Sequence, residues 1–495
     1  MTSTVDALRH FATFAPERPA VRTADRQWRY RELHEAATSF AHSFAAHDVR
    51  VVGLAADNGF EWLALDLAAQ LAGVVLVPLP SFFTREQLAH ALADSGADAL
   101  IADPRVLPAL DMAEAEIVKQ LYGGLAFYRL RTNTAVELPP RTAKISYTSG
   151  TTGEPKGVCL RQSSMDVVAD SLRAAVAELQ IKRHLCVLPL ATLLENIAGV
   201  YAPLLNGAEI VVPGARETGL AGAARFDPLM LLRAIDDYRP QSMILVPQLL
   251  AALVAALEQD APLPVSLRFV AVGGGRVSPA LLARADRVGL PVYEGYGLTE
   301  CASVVALNTP EARRGGSVGR PLAHVELSVD AHGEVHVAGP SVAGYVGDRA
   351  VPQRVATGDL GHLDADGFLH IDGRRKNVFI TSFGRNVSPE WVETELTEQT
   401  PIVQAAVFGE ARPWNVAVIV AAPHARHADV AAAIDRANRT LPDYARVGDW
   451  LVTDEPFGPR NGLLTPNGRN RRSAIWNRYR LELDALYDEP LDRTA

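Results

Sequence analysis

The stretch VRVVGLAADNGFEWLALDLAAQLAGVVLVPL, residues 49–79, sets the fold class. VRVVGLAAD reads as a strand, NGFEWLALDLAAQLAG as a helix and VVLVPL as a second strand. Neither strand alternates polar with apolar residues, which is the pattern of strands covered on both faces in a parallel sheet. A further helix starts at Thr84, where Gln87 completes a capping box. Asp66, Gln70 and the closing prolines interrupt the apolar run, so it predicts a buried helix and strand and not a transmembrane segment.

The alternation resumes after residue 183, where strand-like LCVLPL, AEIVVP, SMILVP and LRFVAVGG are separated by helical PLMLLRAIDDYRP and SPALLARADRVG. Parallel sheets layered by helices follow from this order, and ligands bind in the loops after such strands. Past Gly315 the chain turns to short alternating segments, HVELSVD, GEVHVAGP and GFLHIDG, with Asp366-Gly367 as a turn signal, which predicts a β-rich subdomain. From about residue 376 the pattern is mixed: helical SPEWVETELTE, strands IVQAAVFG and NVAVIVAAP, then helical HADVAAAIDRANRTL. These shifts predict an N-terminal domain over residues 1–375 and a smaller α+β domain over 376–495.

With 495 residues, 48% hydrophobic and 21% charged, the composition is that of a globular chain and excludes disordered and membrane classes. A net charge of -9 argues against a nucleic-acid partner. Cys159, Cys186 and Cys301 are too few and too irregularly spaced for a disulfide framework or a paired-cysteine zinc site. The start, MTSTVDALRHFATF, has no basic segment followed by an apolar core, and together with the cysteine usage this predicts a cytoplasmic location.

Three stretches carry chemistry. YTSGTTGEPKG, residues 147–157, gathers glycines, hydroxyls and one lysine, the donors that an anion needs, yet it misses the phosphate-loop pattern because Pro155 precedes the lysine and Gly157 follows it. Taken alone it fits either a phosphate site or a plain connection. YEGYGLTE, residues 293–300, joins an aromatic ring, close-approach glycines, a hydroxyl and a carboxylate after a strand; Glu300 at the sixth position rules out a dinucleotide fingerprint. TGDLGHLDADGFLHIDGRRKN, residues 357–377, sets Asp359 and Arg374 on either side of a hairpin, where a surface ion pair is the other reading.

In this order and over nearly the whole chain, the three stretches resemble the core motifs of the adenylate-forming superfamily: acyl-CoA synthetases, peptide-synthetase adenylation domains and firefly luciferase. The resemblance implies an α/β fold: a large N-terminal domain of two doubly wound parallel-type sheets plus the β-rich subdomain, and a small mobile C-terminal domain hinged at Lys376. It also implies a two-step reaction, in which a carboxylate attacks the α-phosphate of ATP to give an acyl-adenylate and pyrophosphate, and a thiol of CoA or of a carrier-protein phosphopantetheine displaces AMP. Attack of one anion on another calls for hydrogen-bond donors and a divalent cation.

By this resemblance Thr148, Ser149, Gly150, Thr151, Thr152, Gly153 and Lys156 hold the β- and γ-phosphates, Thr299 meets the α-phosphate and Glu300 holds Mg2+. Tyr296, followed by Gly297, stacks on adenine against Gly273, Gly274, Gly275 and Arg276, while Asp359 accepts from the ribose hydroxyls with support from Arg374. Gly273 and Gly295 border the acid, and Gly384 lets pantetheine pass. In LPLATLLENIAGVYAPL, Thr192 takes the place of a histidine that borders the carboxylate in long-chain and aryl members, with Glu195 retained; the alternative is that both merely begin a buried helix.

In NGLLTPNGRNRR, residues 461–472, Arg469 stands where the family carries a lysine that reaches the carboxylate and the α-phosphate. Arginine keeps the charge but is planar and longer. It performs the same task with adjusted geometry, or another cation such as Lys156 compensates, or adenylation is weak. Arg471, Arg472, Arg478 and Arg480 read as a solvated basic face or as a contact for CoA or an acidic carrier protein. FGRNVSPEWVE and NGLLTP are closest to the long-chain acyl-CoA synthetase branch, which favours a fatty acid as the carboxylic acid substrate, with an aryl acid next. Thr192 and Arg469 leave open a nucleotide-binding homologue with impaired turnover.

Overall fold

The computed structural model describes residues 2–81, 83–104, 116–130, 136–148, 156–221, 225–259, 261–340, 342–348, 354–375, 377–382, 385–465 and 468–487. Among them the opening stretch folds as read: Val51–Ala55 and Val75–Pro78 are parallel neighbours joined by the helix Phe60–Ala72. Every residue of Val51–Ala55 is buried, as is the helix from Trp62 to Ala69, so the apolar runs lie covered on both faces. Gly73 ends that helix with φ +67, a conformation that glycine adopts without strain. Thr84 caps Arg85–Asp94, its hydroxyl accepting from the Gln87 N–H while Gln87 reaches back.

The two largest sheets among the described strands have eight and nine strands. Each is parallel at its centre: Val51–Ala55 pairs with Ala99–Ala102 as well as Val75–Pro78 in one, and Arg183–Leu185, Ser242–Leu245, Phe269–Val272 and Val292–Leu298 run side by side in the other. The edges are antiparallel hairpins, a feature that the apolar runs do not encode. Thr142–Thr148 pairs with Lys156–Arg161, and Val292–Leu298 turns back on Ser303–Leu307. Of LCVLPL, only the first residue lies in the strand Arg183–Leu185.

The β-rich subdomain is a four-stranded sheet of Glu326–Val329, Glu334–Ala338, Arg354–Leu363 and Leu369–Arg374. The C-terminal region has apolar cores of its own, as a separate domain requires, around a three-stranded sheet of Ile402–Phe408, Asn415–Ala421 and Val447–Thr453 with the helices Pro389–Thr397 and His427–Thr440. Lys376 lies outside the described residues. No helix among the described residues is long and apolar enough to cross a membrane.

One polar cluster crosses the core between the two large sheets. Lys144, 2% exposed, points its Nζ at Asp66 Oδ1 at 2.9 Å and at the Tyr201 hydroxyl at 2.9 Å, and also donates to Asn196 Oδ1. Asp66 Oδ2 accepts from Asn196 Nδ2 at 2.9 Å and from the Tyr201 hydroxyl at 2.8 Å. The strand that enters the 147–157 stretch is thereby tied to the helix that follows Thr192.

Candidate active site

The site is built where strands end. Thr142–Thr148 and Lys156–Arg161 form the two stems of the hydroxyl-rich stretch, with Thr148 opposite Lys156 in register. Lys156 is exposed. Ser149, Gly150, Thr151, Thr152 and Gly153 lie outside the described residues, as does Gly384.

Val292–Leu298 carries Tyr296 and Gly297 and runs into a single 3-10 turn, Thr299–Cys301. Its register with Ser303–Leu307 shifts between Tyr296 and Gly297. A Cβ on Gly297 would stand 2.0 Å from the Ser303 carbonyl oxygen, so only glycine permits this close return of the chain. Ala302 at φ +56 and Ser303 at φ +107, just past Glu300 and Cys301, are non-glycine residues with positive φ, and strain of this kind collects at functional turns. Glu300 Oε1 accepts from the Tyr345 hydroxyl at 3.3 Å. Tyr345 was not singled out from sequence; its antiparallel pairing with Val158 brings it here.

Asp359 and Arg374 face each other across Arg354–Leu363 and Leu369–Arg374. Arg374 Nε lies 2.7 Å from Asp359 Oδ1, and the Tyr296 hydroxyl donates to Asp359 Oδ2 at 2.5 Å. Burial at 3% exposure raises the Asp359 carboxyl above its ordinary range, opposed by the Arg374 charge and the Tyr296 hydroxyl. The Tyr296 phenol is pushed up by burial and then by Asp359, so it stays a donor. Two residues upstream, burial pushes the Glu294 carboxyl up to about 8 against the pull of the Val277 N–H and Arg276.

Gly273, Gly274 and Gly275 follow the strand Phe269–Val272, with Gly274 at φ +79. A Cβ on Gly273 would come within 3.3 Å of the Gly295 carbonyl oxygen, and one on Gly295 within 3.1 Å of Leu307, so these two glycines let adjacent strands close on each other. Arg276 turns from this loop to the β-rich subdomain, donating to the Asp372 carbonyl oxygen at 3.2 Å.

Arg469 reaches this group from the C-terminal domain. Its Nη2 donates to the Gly274 carbonyl oxygen at 3.3 Å. Arg469 is exposed to solvent, and desolvation and the like charge of Arg374 hold its guanidinium below the ordinary arginine range, while Asp359, Glu390 and Tyr296 act in the opposite sense. The structure thus brings Tyr296, Asp359, Arg374, Gly274 and Arg469 together from both sides of the predicted boundary.

Thr192 and Glu195 do not join them. The Thr192 hydroxyl donates to the Pro189 carbonyl oxygen at 2.7 Å. Glu195 follows the second of its two readings: it is fully buried at the start of the π-helical segment Glu195–Tyr201. Its Oε2 accepts from the Leu188 N–H at 2.9 Å and its Oε1 lies 3.2 Å from His184 Nε2, whose Nδ1 meets the Ser242 hydroxyl at 2.8 Å. A Cβ on Gly199 would fall 2.1 Å from Glu195 Oε1, so the helix leaves that space to the carboxylate. The C-terminal arginines are mostly paired: Arg472 is held by Glu393, Arg478 by Glu455, and Arg480 lies near Asp484.

An acceptor carboxylate bonded to a tyrosine hydroxyl and beside the charges of two guanidinium groups suits a ribonucleotide, and the oxygen donor at Glu300 suits a hard cation such as Mg2+. Residues 8–346 match the AMP-binding enzyme family and residues 376–490 match the AMP-binding enzyme C-terminal domain. A 2-succinylbenzoate--CoA ligase of Bacillus subtilis is 29% identical over 94% of this chain and 97% of its own length. The long-chain-fatty-acid--CoA ligase FadD15 of Mycobacterium bovis is 26% identical over 87% of this chain and 86% of its own. The solved structure of the Bacillus subtilis O-succinylbenzoate coenzyme A synthetase with ATP and magnesium ion superposes with a TM-score of 0.74 at 25% identity, covering 94% of this chain and 98% of that one. The chain belongs to the AMP-binding enzyme family, within the adenylate-forming superfamily that its motifs resemble.

Proposed function

We propose that the protein couples an aromatic carboxylic acid to CoA through an acyl-adenylate, with ATP and Mg2+. The observation that carries the adenylation half is the reach of Arg469 to the Gly274 carbonyl oxygen, where it feels the charges of the Asp359 and Arg374 pair that Tyr296 joins. In this reading Tyr296 stacks on adenine beside Gly274 and Gly275, Asp359 and Arg374 hold the ribose, and Thr299 meets the α-phosphate. Glu300 supplies an oxygen to Mg2+, which neutralises charge as the carboxylate approaches. Lys156 and the hydroxyl-rich stretch hold the leaving pyrophosphate. Arg469 offers two parallel donors to the carboxylate and α-phosphate, a bidentate geometry open to a guanidinium. Lys376 is the proposed hinge and Gly384 the proposed passage for the thiol.

The choice of an aromatic acid is supported by the greater identity and coverage of the 2-succinylbenzoate--CoA ligase relative. A fatty acid is the second reading, supported by the likeness to the long-chain-fatty-acid--CoA ligase and by the NGLLTP tail. Pyrophosphate release with ATP, Mg2+ and a panel of aryl and fatty acids tests the choice. Release confined to aryl acids, with AMP release accelerated by CoA, is the expected result. Release only with long-chain acids overturns the substrate class, and acceleration only by a pantetheinylated carrier protein overturns CoA as acceptor.

A further inference from the structure

Tyr296 carries a hydroxyl that base stacking does not need, since a phenylalanine ring would present the same face. That hydroxyl is spent on Asp359 Oδ2 at 2.5 Å, while Arg374 Nε takes Oδ1 at 2.7 Å. The two donors grip different oxygens of one carboxylate and so fix its rotation about the Cβ–Cγ bond. The backbone beneath is held as well: the Asp359 N–H donates to the Thr357 hydroxyl at 3.0 Å, which donates to the Val335 carbonyl oxygen at 2.8 Å. A carboxylate has about four lone-pair positions, so two remain for another donor pair. A vicinal diol supplies two hydroxyls at fixed spacing, and only a carboxylate held in one plane accepts from both.

We infer that the Tyr296 hydroxyl is a positioning group that sets the preference for a ribose over a 2′-deoxyribose nucleotide by fixing the plane of the Asp359 carboxylate. The inference rests on the proposed reading in which Asp359 receives the ribose. Arg374 alone grips one oxygen from one side, and the carboxylate can then swing about that contact. A side chain with a single remaining acceptor in reach loses the second hydroxyl first, so discrimination falls before affinity does.

The test is calorimetric titration of the full chain with ATP and with 2′-deoxyATP, each with Mg2+, which requires no knowledge of the acid. Tyr296→Phe is expected to lower the ratio of the two dissociation constants about tenfold, the scale of one charge-assisted hydrogen bond. Asp359→Asn is expected to abolish the preference, and Tyr296→Phe added to it to change the ratio no further. An unchanged ratio in Tyr296→Phe, with Asp359→Asn still abolishing it, overturns the inference and leaves the nucleotide reading standing. A ratio unchanged in Asp359→Asn itself overturns both. Multiplicative effects in the double variant overturn the claim that Tyr296 acts through Asp359.

Discussion

Replacing Lys144 by methionine is the sharpest perturbation of the frame that carries the site. Lys144 and Asp66 are 2% and 1% exposed, and the ammonium is the cation facing Asp66 at 2.9 Å. Methionine keeps most of the volume and removes the charge, the ion pair with Asp66 and two donated bonds, to Asn196 and Tyr201. Asp66 retains the Asn196 and Tyr201 donors on Oδ2 but is left as a buried anion without a counter-charge. Breaking a buried pair from one side costs about 3–5 kcal/mol, a large part of a typical domain's stability. The tie between the strand Thr142–Thr148 and the segment Glu195–Tyr201 is lost with it, so hydrogen exchange should quicken in both. Urea unfolding, followed with hydrogen-exchange mass spectrometry, measures each effect. Adding Asp66→Asn to Lys144→Met should recover most of the loss, because the stranded charge is removed. A loss in Lys144→Met below about 1 kcal/mol, or strictly additive single and double variants, would refute this reasoning.

Two further changes probe the nucleotide turn. Gly297→Ala places a Cβ 2.0 Å from the Ser303 carbonyl oxygen, so the turn at Glu300 must shift; ATP affinity measured by titration should fall at least about tenfold, and retained affinity would contradict the packing. Glu294 is raised from 4.5 to about 8, so the native state keeps a proton that the unfolded chain has released over that interval. Stability therefore falls as pH rises through this window, and Glu294→Gln should flatten the fall in melting temperature between pH 5 and pH 8.5, whereas a parallel profile counts against a buried neutral carboxyl.

The layered sheets were legible because continuous apolar runs, a capping box and Gly/Pro punctuation all act locally. At Gly274 a positive φ and at Gly297 a close strand return demand glycine for the backbone alone. What escaped depends on contacts made at a distance. Lys144 lies between Ala143 and Ile145 in a strand, and Asp66 lies in an apolar helix; each is a charge in an apolar run, and only the fold shows that they are partners. The sequence leaves Glu195 either beside the substrate or at the start of a buried helix, because spacing cannot tell which way a helix turns its first residue; the room left by Gly199 and the contact with His184 bury it. The strand Val447–Thr453 is partly exposed along nearly its whole length, so it gives little hydrophobic pattern. The arginine-rich tail read as one basic face, yet Arg472 is neutralised by Glu393 from the helix Pro389–Thr397.

The central claim is that Arg469 enters the cleft to serve adenylation. Its most direct measurement compares Arg469→Ala in two assays: pyrophosphate release from ATP and acid, and thioester formation from supplied acyl-adenylate and CoA. Loss of one charged donor to the reacting phosphate predicts a fall of about a hundredfold in the first and less than about threefold in the second. Equal losses in both, or no loss in the first, would contradict it.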